Sequence, residues 1–293
     1  MADLPRPTLD LGWIDAQLAG TQFAGAIYHL AAVGSTNLVA AEAAQRGTRT
    51  GVWLADEQTA GRGRGGHSWH SAVGAGLYLS ALVRPRLAGV DVLKLSLAAG
   101  LAARSAVLKT TSLPAERVDL RWPNDLMIWG LDGVERKFGG ILTESAMDGG
   151  SGALGYAVVG IGMNLNHRDL PDELRGIASS LWIEGAGEVA REPLVVALLR
   201  GLEQELAALE REVGAELMPD EGGVENSLTQ RFSQASTWVC GLAVEVAEAG
   251  GYTGVTAGLN GHGLLEIRLP DGSLRTVRHG GVRRVPRAGS GEV

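Results

Sequence analysis

The sequence predicts an α+β protein in which a mixed sheet with helices is followed by a small β-domain. The chain has 293 residues, more than the roughly 250 at which one hydrophobic core stops growing, so we expect two unequal domains. Strand-like and helix-like segments are mixed through residues 25–212, whereas residues 236–287 contain short strands separated by glycine turns. These patterns predict a lead segment at 1–26, a larger domain at 27–232 and a second domain at 236–287.

The larger domain is predicted to contain two amphipathic helices and five strands. Apolar residues recur at three-, four- and sevenfold spacing from Val90 to Leu108, which is typical of a buried helix face. A second such face runs from Val195 to Leu209, just after Pro193, and a first helical turn tolerates proline. The predicted strands are short apolar runs at residues 52–55, 76–83, 118–122, 141–143 and 156–161.

The C-terminal pattern predicts a small β-barrel. Its strand candidates lie at residues 243–247, 253–257, 264–269 and 274–278, and the dipeptide Asp271-Gly272 is a turn signal between the last two. An acidic, glycine-rich stretch at 218–226 is typical of a linker ahead of this domain. The tail at 288–293 is predicted to be disordered.

Composition argues against several classes of protein. The formal net charge of −7 disfavours a dedicated nucleic-acid binder, which needs a basic face, so any anion site must be local. The single cysteine, Cys240, permits neither an internal disulfide nor a cysteine metal cluster, and no histidine has metal-ligand spacing. There is no signal-peptide pattern and no apolar stretch long enough for a bilayer. We therefore expect a cytoplasmic protein without a membrane partner.

The segment at residues 56–69 is the most informative one. Glycines alternate there with Arg62 and Arg64 between two predicted strands. A glycine-rich backbone can wrap an anion, while guanidinium groups supply paired hydrogen bonds to phosphate or carboxylate. The nearby Trp69 could stack on a base. The alternative is a solvated or disordered arginine-glycine loop without a ligand.

Three further segments place polar residues where a ligand could bind. Asn124 and Asp125 follow Pro123 at a predicted strand end, although Pro-Asn-Asp is also an ordinary turn. Lys137, one of only three lysines, precedes a glycine pair, and a solvent-exposed lysine is the alternative. Glycines at 160 and 162 would let a flat ligand approach a strand near Asn164, whose amide can pair with an adenine edge; a bulged strand is the alternative.

Taken in order, these segments resemble the biotin protein ligase family, the enzymes that attach biotin to a lysine of a carrier protein. The resemblance begins at Gly34-Ser35-Thr36-Asn37 and continues through residues 58–69, 122–125, 137–142 and 160–164. Each piece is weak alone, but the ordered combination is highly specific. The resemblance implies a mixed-sheet domain similar to class II aminoacyl-tRNA synthetases, followed by an SH3-like barrel.

The resemblance also implies a role for individual residues. The implied biotin-binding residues are Ser35, Thr36, Asn37, Gln58, Arg62, Gly63, Arg64 and Lys137. The implied ATP-binding residues are Arg62, Arg64, Trp69, Asn124, Lys137 and Asn164. Arg62, Arg64 and Lys137 would be catalytic, together with Asp125 near the incoming lysine.

By the same likeness, ATP with Mg²⁺ converts biotin to biotinyl-5′-AMP, and a biotin carboxyl carrier protein accepts the biotinyl group. The chain departs from the family at Arg121, where a lysine is usual, and at His67, where the loop commonly carries another arginine. Some members have an N-terminal DNA-binding module, for which the segment 1–26 is too short, so we expect no DNA partner.

Two alternative functions remain open from the sequence. Lipoate protein ligases perform the same activation on a related fold, although the Gly-Arg-Gly-Arg loop and the SH3-like tail favour biotin. A non-enzymatic arginine-glycine nucleic-acid binder is the second alternative. The acidic net charge and the position of the loop between strands disfavour it.

Overall fold

The computed structural model describes residues 9–150, 152–216, 226–278 and 281–285, which form two sheets and five α-helices. The helices are α1 (Leu11–Gln17), α2 (Thr36–Gln45), α3 (Val92–Thr110), α4 (Arg191–Glu216) and α5 (Leu228–Gln234). The first sheet contains β1 (Ile27–Leu30), β2 (Gly51–Ala55), β3 (Gly76–Val83), β4 (Val118–Arg121), β5 (Asp125–Trp129), β6 (Glu135–Met147) and β7 (Leu154–Asn164). The second contains β8 (Cys240–Val246), β9 (Tyr252–Leu259), β10 (Leu265–Arg268), β11 (Leu274–Thr276) and β12 (Val282–Arg284).

The first sheet is mixed, as the sequence predicts. Its strand order is β1-β2-β3-β7-β6-β5-β4; β1 and β2 run parallel, and the other neighbours are antiparallel. The interior strand β3 is buried along its whole length, and its sequence is mostly small and apolar, as burial on both faces requires. Its apolar side chains contribute to the core.

Helices α3 and α4 cover one face of the first sheet. Buried alanines of α3 let the second helix approach closely, and a side chain at Gly201 of α4 would lie 3.4 Å from Ala102. The leucine face predicted after Pro193 belongs to α4 and is buried against this layer. Among the described residues, no helix has both the length and the apolar character that a membrane span requires.

Several element boundaries differ from the predicted ones. Helix α3 begins at Val92. Val90 precedes the helix and has 68% of its surface exposed, so the apolar periodicity predicts a start that is too early. Strand β5 was not predicted; the turn signal at Pro123 and Asn124 is immediately followed by a strand that begins at Asp125 and pairs with β4. Strand β1 and helix α2 were not predicted, since a four-residue strand and an alanine-rich helix give weak periodic signals.

The second sheet is entirely antiparallel and has the order β11-β10-β9-β8-β12. The predicted C-terminal strands fall within it, although Leu264 precedes β10 and β11 ends at Thr276. A small β-structure after the mixed sheet is therefore present. Residues 218–225 of the linker predicted at 218–226, the tail at 288–293 and the first eight residues of the lead segment lie outside the described residues.

Side-chain hydrogen bonds connect the two sheets. Asp119 of β4 accepts hydrogen bonds from the amide and the hydroxyl of Thr237, at 3.0 and 2.6 Å. The Trp122 indole donates to the carbonyl of Gly263 at 2.8 Å. Because Asp119 and Trp122 flank the end of β4, the second sheet is fixed beside the turn that precedes β5.

Lys94 is a fully buried cation at the same junction. Its ammonium lies 3.5 Å from Asp91 and 4.0 Å from Glu212 of α4, and Asp91 also lies 3.2 Å from the His262 ring. Two buried carboxylates therefore depend on this lysine for neutralisation. By contrast, Lys109 on the same helix is exposed.

We expect Lys94→Ala to lower the free energy of unfolding by about 3–5 kcal/mol, because it leaves buried carboxylates uncompensated. Chemical denaturation measures this change. Lys109→Ala is the matched control on α3 and should change stability by less than about 0.5 kcal/mol. Equal stabilities for the two variants would contradict this assignment of Lys94.

Candidate active site

A cavity opens on the face of the first sheet that packs against α2. Leu82 and Val158 contact the alanines of α2, and strand alternation places Ser80 and Gly160 on that same face. Ten of the predicted site residues line the cavity: Ser35, Thr36, Asn37, Gln58, Arg62, Gly63, Arg64, Trp69, Asn124 and Lys137. Asp125 and Asn164 do not.

Thr36 and Gln58 form the uncharged part of the lining. The Gln58 side-chain oxygen accepts hydrogen bonds from the Thr36 amide at 2.9 Å and from the Thr36 hydroxyl at 3.1 Å. This leaves the Gln58 NH₂ group as the end available to a ligand. Ser35 occupies the position before α2 but its side chain makes no capping hydrogen bond, so its hydroxyl is also available.

Asn37 is held entirely by protein groups. Its Oδ1 lies 2.5 Å from the Ser80 hydroxyl, and its Nδ2 donates to the Leu142 carbonyl at 3.2 Å and to Glu144 at 2.7 Å. Ser80 also lies 2.7 Å from the Thr36 hydroxyl. Asn37 therefore fixes the geometry around Thr36. Neither Ser80 nor Glu144 was predicted to be a site residue; a lone serine in an apolar strand was the available signal for Ser80.

Two glycines of β7 make room for this arrangement. A side chain at Gly160 would overlap the Asn37 amide, and one at Gly162 would approach the Trp69 indole to 2.8 Å. These glycines serve close side-chain approach rather than a bulge, because β7 pairs with β3 in unbroken register from Ala157 to Asn164.

The glycine-arginine loop folds back on itself above the cavity. The Gly63 amide donates to the His67 carbonyl at 2.7 Å, and the Trp69 amide donates to the Gly61 carbonyl at 2.9 Å. Arg62 and Arg64 line the cavity yet are exposed, and within the described part of the chain neither guanidinium has an ion-pair partner. Both are therefore free to meet an anion.

Lys137 is the cation on the sheet itself. Its ammonium lies 2.5 Å from Asp125 Oδ1 and 5.6 Å from the centre of the Trp69 ring. Asp125 Oδ2 accepts a hydrogen bond from Arg121 Nε at 3.0 Å and a second from the same guanidinium. Asp125 thus bridges two cations, and its place near the incoming lysine stays a prediction.

The pKa of Asp125 reflects opposing effects. Burial by itself would raise this pKa, but the charges of Lys137 and Arg121 and their hydrogen bonds outweigh it and hold the pKa below its ordinary value. Asp125 is therefore ionised at neutral pH. The ionised carboxylate forms an ion pair with the Lys137 ammonium and holds it in place.

The two asparagines predicted to contact adenine lie at different depths. Asn124 lines the cavity, and its Nδ2 donates to the Ile141 carbonyl at 2.8 Å. Asn164 is buried at the end of β7, and its Nδ2 donates to the Ser179 carbonyl at 3.0 Å. The structure therefore brings Asn124 to the cavity and keeps Asn164 beneath a neighbouring loop.

The described residues offer no protein site for a magnesium ion. They contain no group of three or more histidine, cysteine or acidic side chains that could hold a metal. The described lining of the cavity also lacks a carboxylate. Mg²⁺ binds through carboxylates together with substrate phosphates, so the residues present do not fit a metal held by the protein alone.

Comparison with known proteins identifies relatives of this chain. The model of the biotin/lipoate A/B protein ligase family matches residues 35–164. The biotin--[acetyl-CoA-carboxylase] ligase of Mycobacterium tuberculosis is 36% identical over 208 residues, which are 69% of this chain and 72% of that protein. The bifunctional ligase/repressor BirA of Bacillus subtilis is 37% identical over 165 residues, and the match spans 55% of this chain but only 47% of that relative.

A solved structure extends the likeness beyond the first sheet. The biotin protein ligase from Aquifex aeolicus in complex with biotin and ATP superimposes with a TM-score of 0.69 at 26% identity, and the match covers 89% of this chain and 100% of that chain. Sequence identity, coverage and fold thus agree with the resemblance that the motifs predicted. This chain belongs to the biotin protein ligase family.

Proposed function

We propose that this chain activates biotin with ATP, forming biotinyl-5′-AMP, and transfers the biotinyl group to a lysine of a biotin carboxyl carrier protein. One observation carries the proposal: a single cavity combines uncharged hydrogen-bonding groups with the cations Arg62, Arg64 and Lys137. A carboxylic acid with a polar head group, together with ATP, requires this combination. The name of the M. tuberculosis relative and the biotin and ATP bound to the A. aeolicus protein support it.

The first step joins two anions, and the cations make that possible. The biotin carboxylate attacks the α-phosphate of ATP, a bond forms between the carboxylate oxygen and phosphorus, and pyrophosphate leaves. Arg62, Arg64 and Lys137 would neutralise the charge on the carboxylate and the phosphoryl group. Lys137 is already oriented by Asp125, so it can stabilise the transition state without reorganisation.

The uncharged groups would hold the biotin head group. The free end of Gln58 and the hydroxyl of Ser35 can donate and accept hydrogen bonds at the inner part of the cavity. Thr36 and Asn37 belong to the hydrogen-bond network next to these groups. This supports biotin contacts for Ser35, Thr36 and Gln58, with Asn37 contributing through its effect on Thr36.

The glycine-arginine loop would close over the bound nucleotide. Gly65 and Gly66 have φ angles of 69° and 80°, which glycine adopts without strain. A mixed anhydride must be shielded from water, and a loop carrying Arg62 and Gly63 that orders over the ligand would provide this shield. Trp69 and Asn124 line the same cavity and would contact the adenine. Asn164 is buried beside the cavity and would support the adenine site without lining it.

Asp125 would orient Lys137 rather than accept a proton. The second step requires the amine of the carrier lysine to lose its proton and attack the anhydride carbonyl, releasing AMP. A carboxylate with a lowered pKa is a poor proton acceptor. We therefore assign to Asp125 the placement of Lys137 and the electrostatic attraction of the incoming ammonium group.

The finer structural and cellular assignments are also proposals. We infer that the first sheet with its helices forms a class II synthetase-like domain over residues 27–232, and that the second sheet is an SH3-like barrel over 236–287. Mg²⁺ would arrive bound to the phosphates of ATP, since the described lining has no carboxylate. The carrier protein would be met in the cytoplasm.

The direct test is incubation of the chain with biotin, MgATP and a biotin-accepting carrier domain, followed by mass spectrometry of the carrier. We expect the mass of one biotinyl group to be added at a single lysine, only when ATP is present. Lipoate in place of biotin should give little product. No mass shift with biotin would refute the proposal, and preferential transfer of lipoate would replace it.

Removal of the Lys137 ammonium should abolish the first step. We expect Lys137→Ala to reduce biotin-dependent pyrophosphate release by about 100-fold or more, since charge-stabilising groups in active sites contribute this much. Circular dichroism should show an unchanged fold, because Arg121 still neutralises Asp125. Lys109→Ala is the control for loss of a lysine. Wild-type pyrophosphate release by Lys137→Ala would disprove its role.

A methyl group at position 160 should selectively impair biotin binding. Gly160→Ala would displace the Asn37 amide and with it the Thr36 geometry, so we expect the KM for biotin to rise about tenfold or more. The KM for ATP should change less. Gly214→Ala is the control, because a side chain there meets no atom within 4 Å. Equal biotin KM values for the two variants would argue against the network.

A further inference from the structure

Trp238 is in cation–π contact with two guanidinium groups at the junction of the two sheets. The centre of its ring is 5.2 Å from the Arg121 guanidinium and 5.1 Å from that of Arg284. The ring is buried, and its Nε1 donates to Glu135 at 2.8 Å. Arg121 ends β4 of the first sheet, whereas Trp238 leads into β8 and Arg284 lies in β12 of the second.

Arg121 also contacts Asp125, next to the candidate active site. Arg121 donates to Asp125 Oδ2, and Asp125 Oδ1 lies 2.5 Å from Lys137 Nζ. Each oxygen of Asp125 is therefore held by a different cation. The position of Lys137 depends on the carboxylate, and the position of the carboxylate depends on Arg121.

A guanidinium suits both contacts of Arg121, because it can interact with an aromatic ring and donate two hydrogen bonds to a carboxylate at the same time. Neither Arg121 nor Trp238 lines the cavity, so neither touches the reacting groups in this arrangement. Their influence must pass through Asp125.

We propose that Arg121 and Trp238 are positioning residues through which the second sheet holds the Asp125–Lys137 pair in the geometry that biotin adenylation requires. This inference rests on the proposed function, because adenylation is the step it affects. The second sheet would then contribute to biotin adenylation, the first chemical step, in addition to any contribution to binding the carrier protein.

The principal measurement is the pH dependence of biotinyl-AMP formation in single turnovers with saturating biotin and MgATP. Arg121→Met removes one of the two positive charges next to Asp125, so the pKa of this carboxyl should rise and activity should be lost at a higher pH. We expect the acid limb to move upward by about one unit or more. Arg121→Lys retains the charge, so the acid limb should return toward that of the wild type while the rate stays reduced.

A double-mutant cycle tests the link to Trp238. We expect Trp238→Leu to lower the adenylation rate about tenfold through loss of orientation, and Trp238→Phe to lower it less because a ring remains. Adding Trp238→Leu to Arg121→Met should cause little further loss, since both act on the same carboxylate. Additive losses would overturn the proposed route. If Trp238→Leu fails to fold, the Trp238→Phe cycle gives the same comparison.

Thr237→Val is the matched control, because it removes a hydrogen bond to Asp119 at the same junction without touching Arg121. It should lower stability yet leave the acid limb in place. Glu135 provides a second control, because its carboxyl accepts the hydrogen bond from Trp238. Burial raises the pKa of Glu135 despite that hydrogen bond. Glu135→Gln should also leave the acid limb unchanged. A limb that moves in either control, or stays unmoved in Arg121→Met, would contradict the positioning role.

The two proposals fail in different ways. A wild-type chain that forms no biotinyl-AMP would refute the proposed function and this inference together. A wild-type chain that forms the adenylate, with an Arg121→Met variant of identical rate and pH profile, would refute this inference alone.

Discussion

The bridging of Lys137 and Arg121 by one carboxylate is the interaction on which the candidate site depends. Three cations must face the same cavity, and like charges repel strongly when they are fixed close together and removed from water. Asp125 neutralises the cation that is fixed on the sheet. Arg62 and Arg64 are instead carried on an exposed loop, where solvent weakens their repulsion until an anion arrives. A chain with a net charge of −7 can therefore concentrate positive charge locally.

The uncharged part of the site depends on space rather than charge. Because strand residues alternate between faces, Ser80, Gly160 and Gly162 share the face that meets α2. Missing side chains at the two glycines admit Asn37 and Trp69. The hydroxyl of Ser80 then connects Thr36 to Asn37. Apolar β-branched residues at these positions would favour the strand conformation but would fill the space that a ligand needs.

The second sheet contributes to the site without lining its central cavity. Hydrogen bonds from Thr237 to Asp119 and from Trp122 to Gly263 fix it beside the β4–β5 turn, where Asn124 and Asp125 emerge. The cation–π contact between Arg121 and Trp238 lies in the same junction. The contacts that join the sheets are thus next to the residues that orient Lys137, which gives a physical reason for the two parts to act as one unit.

Periodicity and composition determined the α+β class, the central strands, helices α3 and α4 and the local character of any anion site, since these follow from apolar spacing and charge alone. The ordered motifs also identified ten residues of the cavity lining. Only the tertiary structure decided that Asp125 bridges two cations, that Asn37 is fully bonded to protein groups and that Ser80 supports Thr36. These are contacts between residues far apart in the chain, and no local pattern encodes which distant partner a polar side chain will meet.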